Sequence, residues 1–95
     1  MTAGSNFTPN YYEELQARLR ALLIATGGWI SLEQLSLFNE LVDENEPGVA
    51  LDMLTEALAA SGPRIDETLF RDMQSLAEQM KLAPEVVERI RPLVG

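Results

Sequence analysis

The sequence predicts an all-α fold: a compact bundle of about five short amphipathic helices with no sheet. Three observations predict it. Apolar residues recur at intervals of three and four through most of the chain. Breaks containing Gly, Pro, Ser or Asp separate these stretches. No segment alternates with period two, and β-branched residues are sparse.

Residues 1–7 are small and polar and are expected to form a flexible start, leaving 8–95 as a single helical domain. Thr8-Pro9 suits a helix entry, because Thr caps and Pro is preset for the first turn. The first helix is predicted over 9–25, with Tyr12, Leu15, Leu19, Leu22 and Leu23 on one face and a Glu14–Arg18 pair at i,i+4. Gly27-Gly28 ends it. Ser31 and Gln34 have capping-box spacing and open a second helix over 32–42. Its stripe of Leu32, Leu35, Leu37, Phe38, Leu41 and Val42 is wide enough for contact on two sides.

Asp43 to Glu46 form a connecting turn, and Pro47 starts a third helix over 47–60. Ala50, Leu51, Leu54, Ala57 and Leu58 form its buried stripe, with Asp52, Thr55, Glu56 and Ala59 opposite. Ser61-Gly62-Pro63 is a stop. Ile65 is expected to tuck under as a plug. Asp66 caps a fourth helix over 67–80, with Leu69, Met73, Leu76, Ala77 and Met80 inward. A fifth helix is predicted over 84–93, with Val87, Ile90 and Val94 inward.

Composition narrows the chemistry. The 95 residues contain no cysteine and no histidine, and Lys81 is the only lysine. Disulfides, thiolate metal sites and His-dependent nucleophile systems are therefore excluded, and the chain reads as neither an enzyme nor a cofactor carrier. The formal net charge of -8 repels nucleic acid and anionic membrane surfaces and attracts basic protein. No secretory signal or spanning run is visible, so cytoplasmic residence is expected.

Asp43, Asn45 and Gly48 match three positions of a calcium loop, but Pro47 and Leu54 stand where ligands are required. Other carboxylate pairs, Asp52 with Glu56 and Glu85 with Glu88, read as solvated faces. Arg64, Arg71, Arg89 and Arg91 lie among acids and lack the aromatic residues of a nucleic-acid site. Met53, Met73 and Met80 suit a core, and Trp29 is either a core residue or an interface anchor.

The charge distribution is more informative. From Ala21 to Pro63 there is no Lys or Arg, while Glu33, Glu40, Asp43, Glu44, Glu46, Asp52 and Glu56 all fall there. Ordinary surfaces intersperse both signs. Glu40, Asp43, Glu44, Glu46, Asp52 and Glu56 are thus the candidate partner-binding residues. Asp43 and Glu46 also have a structural reading, as negative charge at the start of the third helix. Gly48 and Ala50 suit close approach of a neighbouring helix.

The run Phe38, Leu41-Val42-Asp43, Glu46, Gly48, Ala50-Leu51, Leu54, Leu58, continued by Ile65, Leu76-Ala77, Met80 and Leu82, resembles MafI-type immunity proteins of bacterial polymorphic-toxin and contact-dependent inhibition systems. The resemblance covers about half the chain. Its polar part is an acidic turn leading into Gly-x-Ala-Leu. The chain departs from the usual pattern at Asp52, where family members often carry Glu, and at Glu44 and Asn45. The resemblance implies a protein that binds and neutralises the C-terminal domain of a cognate secreted toxin, usually a basic nuclease, inside the producing cell. The alternative is a general acidic adaptor with a groove lined by Met53, Leu37 or Trp29.

Overall fold

The boundaries of the helices follow from local chemistry. The computed structural model describes residues 7–95, with side chains described from Tyr11 onward. Helix α1 spans Phe7–Thr26, α2 Leu32–Asp43, α3 Pro47–Ser61, α4 Glu67–Gln79 and α5 Glu85–Glu88. Short 3-10 turns follow α1 at Gly27–Trp29 and close the chain at Arg91–Leu93. The described residues form no sheet; a lone parallel bridge joins Ile65 to Val94. The fold is the expected all-α bundle.

The caps at α2 and α4 are the expected ones. The Ser31 hydroxyl accepts from the Gln34 N–H, and Ser31 N–H donates back to the Gln34 side chain at 2.8 Å. Asp66 Oδ1 accepts from the Leu69 N–H at 2.8 Å. Each satisfies donors that a helix start leaves without partners. The start of α1 differs from expectation, since Thr8 stands inside the helix. Pro9 is then the third helical residue, where its missing N–H costs nothing because that group has no intrahelical partner. Of the expected flexible start, 1–6 lie outside the described residues, and Phe7 belongs to α1.

Three helices end on a residue in the left-handed region. Gly62, at φ 74°, closes α3 with its N–H on Leu58 O. After α2, Asn45 (φ 60°) donates to Val42 O and Glu46 to Leu41 O, a Schellman pairing. After α4, Lys81 (φ 60°) donates to Glu78 O and Leu82 to Ala77 O, the same motif. Asn tolerates this conformation; Lys pays about 1–2 kcal/mol for it, against the roughly 0.5–1 kcal/mol of extra unfolded-chain entropy that Gly brings. Lys81→Gly is therefore expected to stabilise the protein by about 0.5–1 kcal/mol, read as a higher urea midpoint at unchanged slope.

One core draws on every helix. Leu15, Leu19 and Leu22 from α1, Phe38 and Val42 from α2, Leu51, Leu54 and Leu58 from α3, Phe70, Met73 and Leu76 from α4, and Val87 from α5 are buried together with Ile65 and Ile90. Ile65 is the expected plug: it is fully buried, its N–H donates to Leu93 O, and its carbonyl accepts from Gly95. Gly48 meets Leu82, after α4, and not α2; a Cβ there would come within 3.1 Å of Leu82 Cδ2.

Four elements depart from expectation. The fifth helix is not continuous over 84–93. It has one turn, then a turn and a 3-10 segment, because Pro92 lacks the N–H that would bond Glu88 O and crowds the residue before it. Tyr12 is 41% exposed; it stacks edge-on with Tyr11 at 5.3 Å. At 20 residues α1 outruns the 13-residue α4 by about 10 Å at 1.5 Å per residue, so its first turns project past the core. Leu32, at 82% exposed, and Leu37 face solvent. They sit about 100–120° around α2 from the middle of the Phe38–Val42 side, which with Leu35 and Leu41 faces the core. Thr55 is buried rather than outward, with its hydroxyl donating to Asp52 O at 3.1 Å.

Arg91 fastens the C-terminal segment. It donates two hydrogen bonds to Glu88 and lies over the Phe70 ring at 4.8 Å. The Arg91 hydrogen bond holds the Glu88 carboxyl below its ordinary value, and the same bond raises Arg91. A lowered carboxyl contributes stability above its unfolded pKa and loses it as pH falls through the folded value; for so exposed a pair the contribution is small.

Candidate functional site: the acidic α2–α3 surface

All six candidate residues are exposed. Glu40 and Asp43 stand on the second half of α2, Glu44 and Glu46 in the turn, and Asp52 and Glu56 on the outer side of α3. The turn is shaped by Asn45 and by the backbone bonds of its Schellman pairing. Negative charge does stand at the start of α3, without a capping hydrogen bond. Glu46 occupies the N-cap position of α3 without a side-chain hydrogen bond, and Asp43 is turned to α1. With Pro47 at the first position, α3 has one fewer donor to satisfy.

The surface is less uniformly acidic in three dimensions than along the chain. Arg20 of α1 pairs with Asp43, and Arg89 donates to Asp52 Oδ1 at 2.8 Å and to the Asp52 carbonyl at 3.2 Å. Arg20 immediately precedes the base-free stretch in sequence, whereas Arg89 lies well beyond its end. Among the described residues, Glu40, Glu44, Glu46 and Glu56 have no basic side chain within ion-pair distance. The structure therefore divides the six into two compensated aspartates and four uncompensated glutamates. Exposed pairs are worth about 0–1 kcal/mol each, so the arginines alter the surface charge more than the stability.

The predicted Glu14–Arg18 pair does not form. Arg18 instead reaches α4, donating to Asp72 Oδ1 at 3.0 Å and to Gln79 Oε1 at 2.8 Å. Gln16 donates to Val42 O at 3.1 Å and ties α1 to the end of α2.

Two exposed aliphatic residues lie beside the glutamates: Leu37, from the wide stripe of α2, and Val49, which lies outside the predicted stripe of α3. Leu37 is 44% exposed and precedes Glu40 and Glu44 by three and seven residues. Val49 is 51% exposed and precedes Asp52 and Glu56 by the same spacings. Those intervals place Val49 on one face of α3 with Asp52 and Glu56, and Leu37 on one face of α2 with Glu40.

Elsewhere, a groove of about 740 Å³ is lined by Ala25, Trp29, Leu69 and several polar side chains. Of the three residues expected to line a groove, Trp29 lines this one; Met53 packs on the core and Leu37 lies on the outer side of α2. Among the described residues no group of three His, Cys, Asp or Glu is placed to hold a metal ion. None of the described helices is long and apolar enough to cross a membrane.

Compared with known proteins, the chain matches no family model, no curated protein and no solved structure.

Proposed function

We propose that this chain is an immunity protein of a bacterial polymorphic-toxin system. It binds the C-terminal domain of a cognate toxin, a basic nuclease, inside the producing cell and blocks it by bulk and charge. The observation that carries this reading is the set of uncompensated glutamates Glu40, Glu44, Glu46 and Glu56, exposed on a surface whose aspartates are already matched. A surface whose acidity served only solubility would be expected to intersperse bases among those acids, and 21–63 has none. The resemblance of Phe38 to Leu82 to MafI-type immunity proteins points the same way.

The chemistry is binding alone. Uncompensated carboxylates raise the encounter rate with a basic cleft. Leu37 and Val49 supply apolar area to be desolvated between them. The carboxylates then occupy positions that nucleic-acid phosphates would take, so substrate is excluded by sterics and by repulsion.

The test is to mix the purified protein with the toxin domain encoded just upstream and assay nuclease activity. A one-to-one complex and loss of activity are expected, with an association rate that falls as salt rises. Full nuclease activity in the presence of excess protein would overturn the reading.

A further inference from the structure

We propose that the groove between the end of α1, Trp29 and the start of α4 docks an extended acidic segment of a partner protein. An apolar side chain of that segment lies against Trp29 and Leu69, and a neighbouring carboxylate meets Arg64. This surface is separate in composition from the glutamate surface, and the proposal does not depend on the toxin reading.

The groove has an apolar floor, with Ala25, Trp29 and Leu69 in its lining. At about 740 Å³ it falls within the roughly 300–1,000 Å³ of ligand sites. It lies open to solvent, so a small molecule would keep much of its surface wet, whereas such sites bury about 70–90% of a ligand. An extended peptide spreads its contacts along an open groove and suits it better.

Charge selects the sign of the occupant. Three other charged side chains line the groove, and each has a use inside the molecule. Arg71 donates to Glu67 at 2.7 Å, and Asp72 accepts from Arg18 at 3.0 Å. Asp66 caps α4 through the Leu69 N–H, where the helix's positive end offsets its charge. Arg64 is exposed as well and, unlike Arg71, has no carboxylate within ion-pair distance among the described residues. Its guanidinium lies near Gly95: a Cβ added at Gly95 would stand 3.3 Å from Arg64 Nη1. A partly buried Trp and an uncompensated Arg lining one groove are residue types enriched among interface hot spots. In a protein of net charge -8, an unmatched arginine at an apolar groove is the place where an acidic segment would not be repelled by its nearest neighbours.

Trp29 is the only tryptophan, so its emission reports occupancy of the groove directly. The experiment selects a displayed library of random 12-residue peptides on the full-length protein, then titrates the strongest binder as a synthetic peptide against the wild type, Arg64→Lys and Arg64→Glu. Circular dichroism checks that the variants keep the fold, as expected for an exposed side chain. The expected result is enrichment of peptides with Asp or Glu within three residues of a large apolar residue, and a shift of Trp29 emission on binding. Affinity should fall at least tenfold in Arg64→Glu and be largely retained in Arg64→Lys. The proposal is overturned by no enrichment, by selected peptides lacking acids, by unchanged Trp29 emission, or by equal affinity for wild type and Arg64→Glu.

Discussion

Phe38→Ala is expected to destabilise the protein by about 3–5 kcal/mol, the cost of lost transfer energy plus the cavity left behind. Phe38 is the largest of the fully buried side chains and sits where α2 joins the core. On α2 only Phe38 and Val42 are fully buried, with Leu35 and Leu41 packed beside them, so Phe38 is the main anchor of that helix. A chain of this length has a total stability of about 5–14 kcal/mol. The variant should lose a large share of it, seen as a much lower urea midpoint. Leu32→Ala on the same helix, at 82% exposed, should fall within about 0.5 kcal/mol of wild type. A similar loss for both would contradict the packing described.

The second large effect concerns binding. Reversing Glu40, Glu44, Glu46 and Glu56 to Lys is expected to slow association with the proposed basic partner by about 10–1,000-fold at low salt. The salt dependence of the rate should largely vanish with it. The fold should be kept, because none of the four makes an ion pair among the described residues. Reversing Asp43 and Asp52 is a different perturbation. Each would set a lysine against Arg20 or Arg89, so stability should fall by up to about 1 kcal/mol per site, while the uncompensated charge presented to a partner changes less. Equal effects of the two sets on association, measured by stopped flow, would show that compensation by arginine is irrelevant to recognition.

The contrast between these sets shows how far the charge pattern was legible. The acidic stretch itself is plain in the linear chain, and so is its exposure. Its division is not, because Arg20 lies 23 residues before Asp43 and Arg89 lies 37 residues after Asp52. No local rule connects residues at such separations. The same holds for Arg18, which has an acid at ideal helical spacing in Glu14 and yet reaches Asp72 on α4. A pair at i,i+4 on an exposed helix is worth only about 0.2–0.5 kcal/mol, so a partly buried alternative across helices readily displaces it. The groove at Trp29 likewise needs Ala25, Arg64 and Leu69 brought together from three segments.

The sequence by itself determined the class of fold, the cap residues Ser31 and Asp66, the stop at Gly62, the plug at Ile65 and most of the core. These depend on dihedral preferences, on hydrogen bonds within one turn, and on an apolar period of 3.6 residues, all of which a short window contains. The break in the last helix was also written locally, in Pro92. Only the tertiary structure decided that Tyr12, Leu32 and Leu37 stay in solvent, that Thr55 does not, and which acids of the α2–α3 surface remain uncompensated. Each of those outcomes turns on which side of a helix its neighbours cover and on what charge they bring, and neighbours far apart in sequence are assigned by packing alone.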